Sequence, residues 1–487
     1  MKILCIGNNS PATDELTSEL AALHHTTNHG LVDENSAVGL AGFYHTSVSD
    51  VQPDKLVELS QKFDRVIVLD QPIEDWNHPT EYYNTINLKK YIQNLEFQNQ
   101  NTTIQYWENL VKQNKSFCIF PFIELLTQNG NTTVCCRSSE KVTDIESLDD
   151  FNKNAEYTKI RQSLIAGKKV SNCEFCYKQE ANGMLSARQQ ETVEWANFLN
   201  LQSIDDLTDL NGPYYYEIRP SNTCNLQCRI CDPGSSHLIE KEYNQLGLHN
   251  SSKTYTHHGF DIVDLSKVKK LYIAGGEPTA MPEFYQFLKK CIDGNHTDFE
   301  ILVNTNAQKI SNKLLDLGKH FENLNYIVSI DGYKKANEYS RWPSDWAKTI
   351  NNVKNLISNG HQITFNITVS LYTIFSLSDL VYFLQENFSN CIIHGQYAYN
   401  FYPFIFEFDS KTIHELSSIR NVSMYQGNNL FRSFVDDVIE NARESKTDRE
   451  KIKKFFQFND LLDFSRNTKL VDYIPELEKL RSNFGEL

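Results

Sequence analysis

The residues with the clearest chemical potential are cysteines. Cys224, Cys228 and Cys231 lie in SNTCNLQCRICDPGSS and have the spacing CxxxCxxC. Three thiolates on one short loop suit a soft metal centre, whereas a structural zinc site takes four protein ligands. A four-iron, four-sulfur cluster held by only three cysteines has one iron without a protein ligand, where a reactant can bind. The pattern therefore predicts an iron–sulfur centre with an open position. A zinc knuckle or three buried thiols are the alternatives.

A second set of four cysteines precedes the first. Cys118 and Cys135 stand in CIFPFIELLTQNGNTTVCC, and Cys173 and Cys176 form CEFC. The letters QNGN are typical of a hairpin turn, which could bring Cys118 and Cys135 together across two strands. Four cysteines make one closed metal centre, with a structural zinc site as the alternative to a cluster. Cys136 could replace Cys135 as a ligand, although the spacing favours Cys135.

The other cysteines and the chain's first residues bear on its compartment. There are 11 cysteines, an odd number unevenly placed, and MKILCIGNN lacks the features of a signal peptide. A reducing, cytoplasmic compartment with cysteine used as metal ligand is therefore expected, rather than a disulfide scaffold. Cys5, Cys291 and Cys391 are predicted to be buried small hydrophobes.

The composition limits the partners. The 487 residues are 40% hydrophobic and 22% charged, which is ordinary for a soluble protein of two to four domains. The net charge of −15 repels a phosphate backbone, so no nucleic-acid partner is expected. No apolar stretch approaches the roughly 20 residues of a membrane-spanning helix, so no membrane partner is expected either.

The chain before the second cysteine set predicts a small α/β domain over residues 1–97, Rossmann-like in its pattern. KILCIG (2–7) and RVIVLD (65–70) are short, β-branched runs of strand length. Helices are predicted over 14–23 and 55–63. A helix followed by a buried strand is typical of a parallel sheet with crossover helices.

The rest of the chain divides into three predicted regions: 102–210 with the second cysteine set, 211–402, and a polar, helical C-terminal region over 403–487. The middle region alternates apolar runs with helical stretches, which predicts a parallel sheet or partial barrel with chemistry at the carboxyl ends of its strands. The predicted strands are 214–220, 271–276, 300–306, 325–331, 363–370 and 391–399, and the predicted helices lie near 237–246, 283–293, 311–320, 346–358 and 377–387.

Three motifs in this region resemble those of the radical S-adenosylmethionine (radical SAM) superfamily. The first is CxxxCxxC directly after the first strand of a βα repeat. The second is YIAGGEP (272–278), which resembles the GGEP motif at the end of the second strand. The third is VSIDG (328–332) at the end of the fourth strand, followed by Arg341. It looks like the subgroup that modifies peptides and proteins. The resemblance covers about residues 116–400.

The resemblance implies a role for each motif residue. The backbone of Gly275 and Gly276 and the carboxylate of Glu277 would hold the SAM ammonium, because glycine permits close backbone approach and a carboxylate binds an ammonium strongly. Ser329 and Asp331 would lie at the SAM ribose. The other implied pocket residues are Arg341 at the SAM carboxylate and, lining the same pocket, Asn304 and Asn306.

Each of these residues also has a plainer interpretation. Glu277 could be a solvated loop acid, Ser329 and Asp331 a capped turn, and Arg341 a member of a surface salt bridge. One residue departs from the family pattern. Ile230 stands where the family usually has an aromatic residue beside the adenine, so only its backbone is expected to contact that ring.

The second cysteine set resembles the opening of the SPASM and twitch domains, which bind auxiliary iron–sulfur clusters. The opening pattern is a cysteine, a spacer, a glycine, four residues and a cysteine, with CxxC later; Gly130 supplies the glycine. Asn182 stands where the full SPASM pattern continues with a cysteine, so a twitch-type domain with one auxiliary cluster is predicted. In most family members this domain follows the barrel, whereas here it precedes it.

The predicted fold is α/β: a partial (β/α)6 radical SAM barrel, preceded by the small α/β domain and the twitch-type domain, with a helical C-terminal arm. The implied function is reductive cleavage of SAM to a 5′-deoxyadenosyl radical that removes a hydrogen atom from a substrate. The implied cofactors are SAM and two 4Fe–4S clusters. An electron donor such as a flavodoxin or ferredoxin is the implied partner.

The substrate is left open by the sequence. The subgroup favours a peptide or protein, while related domain pairs act on small metabolites and sugars. The alternative from another class is a non-catalytic iron–sulfur sensor or scaffold, which would have no need of a SAM pocket. Outside the motifs, the charged residues that follow CEFC are predicted to form a solvated helix face: Glu180, Arg188 and Glu191.

Overall fold

The computed structural model describes four strands within the first 100 residues and most of residues 101–483. Within the latter range it leaves out 129–130, 139, 143–147, 182–185, 249–258, 399–400 and 402. The helices predicted over 14–23 and 55–63 lie outside the described residues. The chain divides into two compact units, of which one comprises 1–117 with 187–208, and the other 118–186 with 209–487.

Twelve strands are described. They are β1 (Ile3–Gly7), β2 (Phe43–Ser47), β3 (Arg65–Leu69), β4 (Glu81–Tyr83), β5 (Glu124–Gln128), β6 (Asn131–Thr133), β7 (Tyr215–Ile218), β8 (Lys270–Ile273), β9 (Glu300–Thr305), β10 (Leu324–Ser329), β11 (Ile363–Val369) and β12 (Ile392–Tyr397).

The described helices follow in chain order. They are α1 (Asn101–Gln113), α2 (Phe120–Ile123), α3 (Leu148–Lys153), α4 (Ala155–Ile165), α5 (Glu174–Ala181), α6 (Ala187–Phe198), α7 (His237–Gln245), α8 (Pro282–Asp293), α9 (Asn312–Gly318), α10 (Lys335–Ser340), α11 (Trp346–Ser358), α12 (Leu377–Asn387), α13 (Ser410–Ser418), α14 (Ser423–Gly427), α15 (Asn429–Glu444), α16 (Arg449–Arg466) and α17 (Pro475–Asn483). None of them is both long and apolar enough to cross a membrane.

The first unit contains a four-stranded sheet in the order β2-β1-β3-β4, and all of its pairs are parallel. β1 and β3 confirm the strands predicted over 2–7 and 65–70. Helices α1 and α6 also belong to this unit and contact each other. The indole N–H of Trp107, a fully buried residue, donates to the carbonyl of Leu201 at 2.7 Å, which anchors α1 to the segment after α6.

Arg188 on α6 is fully buried, so the prediction of a solvated helix face is wrong for this residue. Its guanidinium donates to the carbonyl oxygens of Phe117 at 2.7 Å, Val111 at 3.3 Å and Asn114 at 3.4 Å. These carbonyls lie at the end of α1 and just beyond it, where a helix leaves acceptors without intrahelical donors. Arg188, which lies on α6, therefore supplies hydrogen-bond donors to the carbonyl oxygens at the end of α1.

The second unit contains an eight-stranded sheet in the order β12-β11-β10-β9-β8-β7-β5-β6. The six strands from β7 to β12 are parallel neighbours in chain order, and each coincides with a predicted strand. The five predicted helices between them are present as α7, α8, α9, α11 and α12. This alternation is the predicted α/β pattern. It arises because apolar, strand-length runs are separated by amphipathic stretches long enough for a crossover helix.

The hairpin β5–β6 extends this sheet beyond β7. β5 pairs with β7 in parallel and with β6 in antiparallel register, with Gln128 opposite Asn131. The two strands predicted between Cys118 and Cys135 are therefore present and antiparallel, and they continue the main sheet at its first parallel strand.

Alternation along β9 and β10 decides which residues face away from the covering helices. Ile301, Val303 and Val328 are buried, whereas Asn304 and Ser329 keep partial exposure. Successive side chains of a strand point to opposite faces. The polar face of the sheet therefore carries Asn304 and Ser329 near the carboxyl ends of neighbouring strands.

Arg188→Met should destabilise the first unit, because it leaves the carbonyls at the end of α1 without their charged donor. The expected loss is about 3 kcal/mol of unfolding free energy, measured by urea unfolding followed by circular dichroism. The matched control is Lys112→Met, since Lys112 is exposed and forms only a 3.8 Å surface pair with Glu108. Equal effects of the two substitutions would contradict a special role for Arg188.

Candidate functional site

Cys224, Cys228 and Cys231 lie on the loop between β7 and α7, and all three are half-buried. Burial raises the pKa of the Cys224 thiol to about 12, and the charge of Cys228 adds to this rise. Burial also raises the pKa of Cys231, with further contributions from Cys228, Asp232 and Cys224. The three thiols are thus close enough to interact electrostatically, as a shared centre requires.

The start of α7 holds the cysteine loop in its folded form. The Ser236 hydroxyl accepts from the N–H of Ile239 and donates to the carbonyl of Leu226 at 3.1 Å, so the helix cap also ties the loop. The N–H of Cys224 donates to Nδ1 of His237 at 3.1 Å. The loop therefore turns back on the first residues of the helix.

The glycine pair after β8 packs against the cysteine loop. Gly275 has φ of +78° and Gly276 φ of +25°, a backbone region that favours glycine. A Cβ atom at Gly276 would overlap the carbonyl oxygen of Thr223, the residue before Cys224. The N–H of Glu277 donates to that same oxygen at 2.8 Å. The close approach these glycines permit here is to the protein's own cysteine-bearing segment.

Glu277 is a buried anchor, so its interpretation as a solvated loop acid is wrong. Its carboxylate accepts from the N–H and hydroxyl of Thr279 at 3.1 and 2.7 Å, from the Thr305 hydroxyl at 2.7 Å and from the Asn306 N–H at 2.7 Å. Burial raises the pKa of this carboxyl, and the bond from the Asn306 N–H opposes the rise most strongly. Glu277 therefore joins the loop after β8 to the end of β9.

The two asparagines have different surroundings. The Asn306 side chain donates to Oδ1 of Asn225 at 2.8 Å, next to Cys224. Asn304 accepts from the Ser329 hydroxyl at 3.1 Å and also hydrogen-bonds the Tyr272 side chain. The structure thus brings Asn306 to the cysteine loop together with Glu277, while Asn304 and Ser329 form a second polar group with Tyr272.

Asp331 and Arg341 form a buried ion pair, so the surface salt bridge considered for Arg341 is wrong. Nε of Arg341 lies 2.7 Å from one carboxylate oxygen of Asp331, and Nη2 donates to the other at 2.9 Å. The N–H of Thr368 also donates to Asp331, at 3.1 Å. The Asp331 side chain is 0% exposed and that of Arg341 12%. The guanidinium is therefore already paired with one carboxylate.

The segment around Arg341 is hydrogen-bonded to the middle of the cysteine loop. The N–H of Gln227 donates to the carbonyl of Trp342, and the N–H of Arg229 donates to that of Ser340, both at 2.7 Å. These bonds lie on the two sides of Cys228. Burial raises the pKa of the Cys228 thiol, and Arg341 is the strongest opposing influence. Cys228 and Arg341 are therefore near neighbours.

A cavity of about 270 Å³ lies beside the third cysteine. It is lined by Cys231, Asp232, Pro233, Tyr243, Phe401 and Phe458. Aromatic side chains from α7, from the segment after β12 and from α16 thus surround one side of the cysteine loop.

The second cysteine set is buried throughout: Cys118, Cys135, Cys173 and Cys176. Burial raises the pKa of Cys135, and the charge of Cys118 contributes to the rise, which places these two thiols near each other. The chain on either side also meets. The side chain of Asn172, which precedes Cys173, donates to the Ser138 hydroxyl at 3.5 Å.

A cation–π contact also joins the segment that follows Cys135 to the segment that contains Cys173 and Cys176. The guanidinium of Arg137 lies 5.2 Å from the ring centre of Phe175, one of the two residues between Cys173 and Cys176. Cys136 has different neighbours from Cys135. It is an exposed residue whose thiol still has a raised pKa, first through desolvation and then through Glu217 of β7.

Among the residues that the structure describes, no group of three or more His, Cys, Asp or Glu side chains is arranged to hold a single metal ion. In a four-iron, four-sulfur cluster each cysteine thiolate binds a different iron, so the cysteine sulfur atoms need not meet at one point. The donor set at residues 224–231 is three soft thiols on one loop, which fits such a cluster and leaves one iron for another ligand.

Sequence reasoning missed several residues that build this site. Arg229, Trp342 and Arg466 hold the cysteine loop through contacts with distant segments, and Thr305 completes the bonding of Glu277. The only available signal was the position of Arg229 between two predicted ligands, since spacing alone does not distinguish a buried arginine from a solvated one.

One comparison with known proteins finds a match in this part of the chain. Residues 218–375 match the family model described as the Radical SAM superfamily. That segment is about a third of the chain and contains the cysteine loop, the glycine loop and Arg341. This segment is therefore similar to the radical SAM domain. No curated protein matches the chain.

Solved structures with a similar course of chain were also found. SuiB of Streptococcus suis bound to S-adenosylmethionine is 16% identical, with 55% of this chain and 62% of that one covered and a TM-score of 0.31. anSMEcpe with bound AdoMet is 17% identical, with 48% and 61% covered and a TM-score of 0.31. The FeFe-hydrogenase maturase HydG from Carboxydothermus hydrogenoformans is 13% identical, with 62% and 72% covered and a TM-score of 0.29. The chain spans less than two thirds of the first two.

Gly276→Ala should displace the segment before Cys224, because the new methyl group overlaps the Thr223 carbonyl. After anaerobic reconstitution, we expect Gly276→Ala to bind clearly less iron than the wild-type protein, as measured by iron and sulfide analysis. Gly427→Ala is the control, since a Cβ there meets no atom within 4 Å. Full iron content in Gly276→Ala would show that the loop tolerates the shift.

Proposed function

We propose that this protein is a radical SAM enzyme in which Cys224, Cys228 and Cys231 hold a 4Fe–4S cluster. The observation that carries the proposal is the meeting of three motifs in one place. The cysteine loop is bonded to the glycine loop through Thr223 and to the Arg341 segment through Gln227 and Arg229. When bound, such a cluster with SAM supplies the electron that cleaves SAM to methionine and a 5′-deoxyadenosyl radical, which then removes a hydrogen atom from a substrate.

The residues of the chain bind and orient the reactants. Glu277 supplies a carboxyl group beside Cys224, where the SAM ammonium would bind; burial raises its pKa, and the N–H and hydroxyl groups that donate to it oppose that rise. Arg341 supplies the positive charge for the SAM carboxylate. Because Asp331 already pairs with Arg341, Asp331 fixes the orientation of the guanidinium and balances its charge.

The remaining pocket residues have polar groups at the carboxyl ends of neighbouring strands. Gly275 and Gly276 allow the two loops to pack, and Asn306 bonds to the residue after Cys224. Ser329 offers a hydroxyl that suits a ribose, and Asn304, which accepts from that hydroxyl, would line the same pocket. These assignments come from the motif resemblance and are supported by the placement of each residue next to the cysteine loop or on the polar face of the sheet.

We further propose a twitch-type auxiliary cluster on Cys118, Cys135, Cys173 and Cys176. Their shared burial and the contacts between segments 135–138 and 172–175 support it. Cys135 is favoured over Cys136 because it lies near Cys118, whereas Cys136 lies near Glu217.

The substrate class and partners follow from the resemblance alone. A peptide or protein substrate is the first choice and a small metabolite or sugar the second. A flavodoxin- or ferredoxin-type donor would supply the electron, and the use of cysteine as a ligand suits the reducing cytoplasm. A sensor or scaffold is the weaker proposal, since it would not need the buried Glu277 and Arg341 beside the cysteine loop.

Cys228→Ala should abolish formation of 5′-deoxyadenosine from SAM under strong reductant, because the cluster loses one of its three ligands. Chromatography of the quenched, anaerobic reaction measures the product. Cys391→Ala is the matched control, since that cysteine is also half-buried and is assigned to neither cluster. Undiminished product from Cys228→Ala would exclude the proposed function.

The double variant Cys173→Ser, Cys176→Ser should lower the iron content from about eight to about four atoms per chain, because each cluster holds four irons and has its own ligands. SAM cleavage should survive, because Cys224, Cys228 and Cys231 are intact. Iron analysis with Mössbauer spectroscopy decides the count. Zinc in place of the second cluster would show that these four cysteines form a structural zinc site, and would overturn the proposed auxiliary cluster.

A further inference from the structure

Arg229 lies between two of the predicted cluster ligands, and its side chain is 0% exposed. All three guanidinium nitrogens are used. Nε donates to the carbonyl of Tyr339 at 3.1 Å and Nη1 to Oδ1 of Asn459 at 2.8 Å. Nη2 donates to Oδ1 of Asp463 at 2.5 Å and to the Thr468 hydroxyl at 3.0 Å. The cation also lies 3.7 Å from the centre of the Tyr339 ring.

These contacts join three segments that are far apart in sequence. Asn459 and Asp463 belong to α16 in the C-terminal region, Tyr339 belongs to α10, and Arg229 belongs to the cysteine loop. A planar guanidinium with several fixed donors can hold three partners in one orientation, whereas an ammonium is a point charge without that geometry. The arginine therefore sets the relative positions of α10, α16 and the cysteine loop.

A second tie from α16 acts on the same region. Arg466 forms a two-bond pair with Glu242 of α7, at 2.9 and 2.6 Å, and both side chains are buried. The guanidinium of Arg466 also lies 5.2 Å from the ring centre of Trp342, whose carbonyl accepts from Gln227 in the cysteine loop. The last turn of α16 thus contacts the helix that follows the cysteine loop and the residue that follows Arg341.

We infer that Arg229 is a positioning residue for the cluster site, and that the last turn of α16 is part of that site rather than a separate C-terminal cap. The side chain of Arg229 holds the carbonyl of Tyr339 at 3.1 Å, next to Ser340, whose carbonyl accepts from the Arg229 N–H, and thereby keeps Cys228 and Arg341 at a fixed separation. The inference rests on the proposed function for the identity of the ligands, whereas the contacts themselves do not.

The decisive variant is Arg229→Lys, which keeps the positive charge opposite Asp463 and removes the planar guanidinium with its several fixed donors. Three quantities are measured on the full chain. They are the rate at which iodoacetamide alkylates Cys228 in the cluster-free protein, the affinity of the reconstituted protein for SAM by calorimetry, and the electron paramagnetic resonance spectrum of the reduced cluster with and without SAM. Cys291, which is fully buried on α8, is the internal reference for alkylation.

We expect Arg229→Lys to raise the Cys228 alkylation rate about tenfold, to weaken SAM binding at least tenfold, and to reduce the spectral change that SAM causes, with the iron content retained. Asp460→Asn is the matched control. Asp460 is also on α16 but forms an exposed pair with Arg481 at 2.8 Å, so all three quantities should stay at the wild-type level.

A lower melting temperature with wild-type alkylation, SAM affinity and spectrum would overturn the inference, because Arg229 would then be only structural. If Arg229→Lys does not fold, Asp463→Asn decides in the same way, since it leaves Arg229 in place and removes its carboxylate partner. Failure of the wild-type protein to bind SAM would overturn the proposed function instead. In that case the alkylation rate in the cluster-free protein still tests the positioning role.

Discussion

Two backbone hydrogen bonds set the geometry on which the site depends. They run from the N–H groups of Gln227 and Arg229 to the carbonyls of Trp342 and Ser340. These bonds tie the peptides on both sides of Cys228 to the peptides on both sides of Arg341. The positions of the two side chains relative to each other are therefore fixed. The loop that contains Gly275 and Gly276 is also bonded to the cysteine loop, because the Glu277 N–H donates to the Thr223 carbonyl. Loops from three different strands are thereby fixed by backbone groups rather than by flexible side chains.

Three buried ion pairs lie around these hydrogen-bonded loops. Asp331 with Arg341, Arg229 with Asp463 and Glu242 with Arg466 are all wholly or largely removed from water. Such pairs add little net stability, because desolvation offsets their attraction, whereas loss of one partner is costly. Their contribution here is to geometry. Arg229–Asp463 and Glu242–Arg466 each join segments more than 200 residues apart, and their directional bonds restrict how those segments can pack.

The sequence was a good guide to elements with strong patterns. The strands β7 to β12 and the helices between them follow from apolar runs and amphipathic stretches, and the motifs follow from spacing. Helix α10 was not predicted, because KANEYS is short and polar and its burial comes from contacts made elsewhere. The pairing of β5 with β7 was not predicted either, since strand neighbours depend on the tertiary fold.

The site shows the same division. Spacing singled out the cysteines, and the motif resemblance placed Glu277 and Arg341 near them, but neither could identify their partners. Glu277 is saturated by donors from its own loop and from β9, and Arg341 is paired with Asp331. Arg188 was wrongly assigned to a solvated face, because the sequence of a helix does not show which carbonyl oxygens a charged side chain will bond in the folded protein. Such contacts depend on residues 70 or more positions away.

The link between Arg229 and Asp463 has a consequence for how the protein is made. The two residues are 234 positions apart, and the second lies close to the end of the chain. Synthesis on the ribosome proceeds from the N-terminus at about 5–20 residues per second, so the cysteine loop is complete on the order of ten seconds or more before α16 exists. Throughout that interval the nascent chain carries its three thiols without the helix that later encloses Arg229. The order of translation therefore separates the exposure of the three thiols from the packing of α16 against the cysteine loop.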